Sequence, residues 1–173
     1  MSSHDGAINL VSVLNEGTTF TIYLPANPEH ALMIDEDHQT YVYGEGRVLV
    51  MEDEKNVRNL LGDILNHCGY TSTLTTDGAE AVQAYREAFE GGEPFIAIIM
   101  DLTVPGGMGG KEAMEAILDI DPEARAMVAS GYSNDPVLAK YQTYGFLDRV
   151  QKPYRATVLS KVLNDLITAD NML

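Results

Sequence analysis

At 173 residues, 45% of them hydrophobic, the chain can form one ordinary domain with its own core plus an appendage. A formal net charge of -15 argues against direct binding to nucleic acid or anionic lipid, since phosphate backbones attract basic patches. The single cysteine, Cys68, rules out an internal disulfide, and the absence of a long apolar run or a basic signal-peptide pattern leads us to expect a cytoplasmic protein.

The chain opens with two short β-prone runs. Residues 8–14 and 18–24 are rich in β-branched and aromatic residues, and Asn15-Glu16-Gly17 between them forms a turn signal; Pro25 closes the second run. Two strands alone are marginal in water, so this hairpin needs a larger sheet, and none lies nearby in sequence. His4-Asp-Gly-Ala-Ile8 followed by Gly17-Thr-Thr-Phe-Thr-Ile-Tyr-Leu-Pro25 resembles the last hairpin of a sensor histidine kinase ATP-binding domain. The nucleotide-binding elements of that family have no counterpart here, so neither ATP binding nor kinase activity is expected. An exposed hairpin can pair between chains, which makes residues 7–24 a candidate dimer contact.

Residues 26–46 read as a linker. Asp35, Asp37 and His38 fall there as a solvated charge run; adjacent residues on a flexible segment rarely converge on one ion.

From residue 47 the pattern changes. Arg47 to Met51 is an apolar strand ending in Glu52 and Asp53. Val57, Leu60, Leu61, Ile64, Leu65 and Cys68 recur at helical spacing, which puts Cys68 on a buried stripe, with Gly69 as a left-handed cap. Residues 70–75 form a second strand. Thr76 or Asp77 caps a helix carrying Ala81, Val82, Tyr85, Ala88 and Phe89 inward. Phe95 to Met100 is a continuous apolar run, suited to a strand covered on both faces, and it delivers Asp101 to its carboxyl end. A glycine-rich stretch, residues 106–110, lacks the Gly-Lys-Ser/Thr ending of a phosphate cradle and reads as a flexible surface loop. A helix follows over 111–120. Residues 126–129 form a fourth strand ending at Ser130-Gly131. Asn134 or Asp135 starts a short helix that Gly145 ends; residues 147–151 form a weak fifth strand ending at Lys152-Pro153, and residues 158–167 mark the last amphipathic helix.

Strands alternating with helices imply a parallel sheet with right-handed crossovers. Five units in this length predict an α/β flavodoxin-like domain, its five-stranded parallel sheet in the order 2-1-3-4-5 with helices on both faces, preceded by the β-hairpin and linker. Ligands in such sheets bind beyond the carboxyl ends of the strands. There this sequence presents Glu52, Asp53, Asp101, Ser130 and Lys152. Three neighbouring carboxylates repel one another, and a hard divalent cation such as magnesium, which prefers oxygen ligands, relieves the repulsion. Asp101 could then act as a nucleophile toward phosphorus.

Residues 47–173 resemble the receiver domain of two-component response regulators and hybrid histidine kinases. The resemblance lies in Val48-Leu-Val-Met-Glu-Asp-Glu54, Ile99-Met-Asp-Leu-Thr-Val-Pro105, Ala129-Ser-Gly131 and Lys152-Pro-Tyr154, four motifs in order. It implies that Asp101 is the phosphoacceptor, that Asp53 binds Mg2+ directly and Glu52 through water, and that the Thr103 carbonyl is a third protein ligand. It further implies that Ser130 and Lys152 bind the new phosphoryl group and that the bond before Pro153 is cis. The expected partner is a histidine kinase or histidine phosphotransfer protein. Together with the N-terminal hairpin, it implies the C-terminal part of a hybrid sensor kinase, with domains at 1–25, 26–46 and 47–173. Arg149 stands where receivers usually carry an inward-turning aromatic residue, so Arg149, Tyr132 and Tyr154 are the candidates for a switch relay. Two rival readings are a hydrolase of the haloacid dehalogenase kind and a non-phosphorylated interaction domain; Thr103, where the former has a second Asp, argues against turnover.

Overall fold

The computed structural model describes residues 6–25, 40–131 and 138–169, with backbone alone at Ser130, Leu138 and Ala139. The chain divides into two compact units, Met1–His38 and Gln39–Leu173. The first is an antiparallel hairpin of β1 (Ala7–Val13) and β2 (Gly17–Tyr23), each strand one residue earlier than its apolar run suggested. Asn15 and Gly17 make the turn at positive φ, 64° and 124°, a region that Asn and Gly tolerate best. The register pairs Ile8 with Ile22 and Leu10 with Phe20, so the period of two gathers four apolar side chains on one face. All four are more than half exposed.

The second unit is a five-stranded parallel sheet: β3 (Arg47–Met51), β4 (Thr71–Thr75), β5 (Ala97–Asp101), β6 (Ala126–Ser130) and β7 (Asp148–Gln151). Their spatial order is β4-β3-β5-β6-β7, which is 2-1-3-4-5 when counted within the unit. The helices are α1 (Lys55–His67), α2 (Gly78–Glu90), α3 (Gly110–Leu118) and α4 (Ala156–Thr168). The apolar runs are continuous because alternate residues serve opposite layers. Leu49, Met51, Ile98, Met100 and Val128 pack with Ala81 and Tyr85 of α2 and with Ala113, Met114 and Ile117 of α3. Val48, Val50, Ala97, Ile99, Met127 and Val150 pack with Leu61 and Leu65 of α1 and with Leu159, Leu163 and Leu166 of α4. Each large aliphatic side chain buried this way contributes roughly 1.5–3 kcal/mol.

Three local expectations change. Leu60, Phe89 and Val158 sit at the edges of their helical stripes and are 47%, 42% and 39% exposed, since an apolar stripe covers only part of a helix's circumference. The element before Gly145 is a 3-10 segment, Leu138–Tyr144, and not an α-helix over its described length. At three residues per turn Tyr141 and Tyr144 fall on one side, and both pack against the α2–α3 core layer. The expected caps Asn134 and Asp135 lie outside the described residues. The glycine stretch after β5 lies at the surface as expected, and it is tied to its neighbours: the Gly78 N–H donates to the Met108 carbonyl at 2.9 Å and the Gly110 N–H to the Leu102 carbonyl at 3.2 Å. The end of the expected linker also packs. The Val42 N–H donates to Ser160 Oγ (3.2 Å), the Gly44 N–H to the Cys68 carbonyl (2.9 Å), and Tyr41 meets His67 edge-on with ring centroids 4.7 Å apart. As expected, Cys68 is buried and Gly69 adopts a positive φ, 93°.

Candidate functional site

Parallel strands bring the carboxyl ends of β3, β5 and β7 to one rim of the sheet. Parallel register sets Met51 beside Met100 and Asp101 beside Ala129, so the loops after these strands emerge together. The rim gathers Glu52, Asp53, Asp101 and Lys152, and one carboxylate oxygen from each of the three acids lies within 4.8 Å of the others. Lys152 Nζ bridges two of them, donating to Glu52 Oε2 at 2.6 Å and to Asp101 Oδ2 at 2.6 Å. The side chains of Asp101 and Lys152 are 14% and 19% exposed, open enough to meet an incoming group, whereas Glu52 is buried.

Burial pushes the Glu52 carboxyl above its ordinary value; the Lys152 hydrogen bond and charge oppose this, and the Asp101 charge adds to it. Burial alone would lower Lys152, but its hydrogen bonds to Asp101 and Glu52 and their charges outweigh it and raise the ammonium. The lysine is therefore held charged between two acids.

Two residues that the sequence reading passed over shape this rim. Arg58, in the first turns of α1, donates through one guanidinium nitrogen to the carbonyls of Glu52 (2.6 Å) and Asp53 (3.0 Å). It ties down the loop that presents both acids. The signal was present: a cation five residues beyond an acidic pair, on the helix that the pair leads into. Gly110 opens α3 with its Cα against the Asp101 carbonyl, where a Cβ would collide with backbone. Only glycine admits that approach.

The remaining candidates divide. Thr103 is exposed and its N–H reaches Asp101 Oδ1 at 3.3 Å. The Lys152–Pro153 bond is cis. Arg149 is exposed on β7, its guanidinium carbon 5.6 Å from the centre of the Tyr141 ring, a cation–π contact on the outer face. Tyr154 packs against the α1–α4 core layer, and its hydroxyl is the one buried side-chain polar atom among the described residues with no hydrogen-bond partner. Burial, then the charges of Glu52 and Asp101, raise its pKa; its contact with Glu52 falls short of a well-formed hydrogen bond. The Ser130 side chain and Tyr132 lie outside what the structure describes, as do Asp35, Asp37 and His38.

Three clustered carboxylates form a hard-oxygen donor set. Magnesium–oxygen distances of about 2.1 Å put two ligands of one ion roughly 3–4 Å apart, so oxygens within 4.8 Å of one another suit a shared ion.

Comparison with known proteins agrees with this fold. The model of the response regulator receiver domain matches residues 48–164. Chemotaxis protein CheY of Thermotoga maritima is 33% identical over 119 residues, which cover 68% of this chain and 94% of that protein. Sensor kinase CckA of Brucella abortus is 29% identical over 179 residues, covering 94% of this chain and 18% of the kinase. Among solved structures, the receiver domain of a sensor histidine kinase from Pseudomonas aeruginosa PAO1, with magnesium coordinated in its active-site cleft, superposes with a TM-score of 0.63. Its identity is 21%, and the match covers 72% of this chain and 98% of that one. Among the described residues no helix is long and apolar enough to cross a membrane.

Proposed function

The chain belongs to the response regulator receiver family, and from that membership we propose that Asp101 is the residue on which this phosphorelay receiver accepts its phosphoryl group. The observation that carries the reading is Lys152 Nζ lying 2.6 Å from Asp101 Oδ2 inside a cluster of three carboxylates. An oxygen of Asp101 attacks the phosphorus of a phosphohistidine on a histidine kinase or phosphotransfer protein. The P–N bond breaks, its electron pair stays with the imidazole nitrogen, and an acyl phosphate forms. Lys152 turns from Asp101 Oδ2 to a phosphoryl oxygen, and the Ser130 hydroxyl binds another. Such transfer asks mainly for positioning and charge stabilisation.

Asp53 and Asp101 would hold Mg2+ directly, Glu52 through water, and the Thr103 carbonyl would supply a third protein donor. The bound ion offsets the charge that the phosphoryl group brings to an acidic rim. The same groups let the receiver promote its own phosphorylation and dephosphorylation. A hydrolase of the haloacid dehalogenase kind needs a second acid at position 103, where Thr103 stands.

Residues 1–25 derive from the ATP-binding domain of a hybrid sensor kinase, residues 26–46 join the two parts, and residues 47–173 are the receiver. A sensor kinase aligned over 94% of this chain supports that origin, as does a hairpin whose apolar face is exposed.

Labelled acetyl phosphate with magnesium tests the site. One labile phosphoryl group per chain is expected, none after chelation of the metal and none in Asp101→Asn. Label retained at full stoichiometry in Asp101→Asn would refute the assignment, and turnover of many equivalents would point to a hydrolase.

A further inference from the structure

Glu52 is 1% exposed, so its carboxylate depends on protein donors. Oε2 takes the short bond from Lys152, and Oε1 takes a long one, 3.4 Å, from the Glu54 N–H. Lys152 is shared with Asp101. When Lys152 turns to a phosphoryl group on Asp101, Glu52 stays buried while its strong donor is drawn toward the new anion. A buried charge stripped of its donor is costly.

Beside Glu52 lies the opposite deficit. The Tyr154 hydroxyl is buried and makes no well-formed hydrogen bond among the described residues, although Glu52 contacts it and the Glu52 and Asp101 charges both act on it. A buried hydroxyl left unpaired is unfavourable for the same reason. One group is set to have its donor drawn away, and its neighbour holds a donor that makes no well-formed bond among the described residues.

We propose that Tyr154 is a positioning residue that takes over Glu52 from Lys152 in the phosphorylated state. Its O–H donates to the Glu52 carboxylate and keeps that carboxylate turned toward the cation site once Lys152 has left. This rests on the reading of Lys152 as a phosphoryl ligand. It gives Tyr154 a place at the acidic rim in place of a relay to the outer surface. The lysine and the tyrosine lie two residues apart on the segment after β7, so one short stretch supplies both donors.

Tyr154→Phe removes the hydroxyl and keeps the ring. The probe is beryllofluoride with magnesium, a tetrahedral stand-in for a phosphoryl group on a carboxylate, titrated into the full chain by calorimetry. The ligand-free variant is expected to unfold at the same temperature as the wild type or higher, since the lost hydroxyl makes no well-formed hydrogen bond among the described residues. Its affinity for magnesium alone is expected to change less than twofold, and its affinity for beryllofluoride to fall about tenfold, the scale of one hydrogen bond to a charged group. Equal beryllofluoride affinity in the two proteins, or a lower unfolding temperature without ligand, overturns the proposal. A wild type that binds no beryllofluoride overturns the phosphoacceptor reading and this inference with it, a result distinct from a wild type and a variant that bind equally.

Discussion

Lys152 stands between two acids at equal distance, and the chemistry of the rim depends on what holds those acids in place. Asp53 is exposed, so its position is set by backbone and not by packing around its side chain. Arg58 provides that restraint through two carbonyls. Removing an outer partner of a metal ligand commonly costs 10–100-fold in affinity. Arg58→Ala is therefore expected to weaken magnesium binding by about tenfold in a calorimetric titration. Arg58→Lys should recover only part of this, because the shorter lysine arm must bring its ammonium to the two carbonyls that one guanidinium nitrogen now reaches. An unchanged magnesium affinity in Arg58→Ala would remove Arg58 from the site.

At the scale of elements, α2 shows how a helix terminus is secured beside the rim. Asp77 Oδ1 accepts from the Glu80 N–H at 2.9 Å, and Glu80 Oε2 accepts from the Thr76 N–H at 2.8 Å and the Thr76 hydroxyl at 2.7 Å. This is a reciprocal cap of the capping-box kind. The Thr76 bonds, backbone first, hold the Glu80 carboxyl below its ordinary 4.5. A carboxyl with a folded-state pKa below its unfolded one stabilises the fold above about pH 4.5 and loses that contribution as pH falls through the folded value. Glu80→Gln should lower the urea midpoint at pH 7, and the gap from wild type should close as the pH is taken below 4. A gap that persists in acid would mean the carboxylate charge is not what Thr76 holds. The glycine stretch after β5 leans on the same terminus through the Gly78 N–H and the Met108 carbonyl.

At the scale of the whole chain, the receiver unit begins before its first strand. The matched family region starts at residue 48 and the compact unit at Gln39. In between, Val42 and Gly44 each donate a backbone hydrogen bond to the unit, and Tyr41 packs on His67. Hydrogen bonds net about 1 kcal/mol apiece and an aromatic pair about 1 kcal/mol. A chain beginning at Arg47 is therefore expected to be about 2–3 kcal/mol less stable than one beginning at Gln39, measured by urea denaturation. Equal stability would make residues 39–46 a passive tether. The hairpin is the opposite case: a two-stranded sheet with one exposed apolar face is marginal alone, and its register shows a strand pair made to be covered.

The sequence by itself determined the parallel α/β unit, because continuous apolar runs and 3.6-residue stripes admit few other arrangements. It also singled out Glu52, Asp53, Asp101 and Lys152, since each stands at the end of a strand or within two residues past it, and strand ends are local signals. Only the tertiary structure decided that one lysine bridges two of those acids, that Arg58 braces their loop, that Gly110 must lack a Cβ, and that the Tyr154 hydroxyl is buried beside Glu52 with no well-formed hydrogen bond among the described residues. These are contacts between groups far apart in sequence or facing backbone. Periodicity reports which side of an element a residue occupies; what stands opposite is set only when separate elements pack.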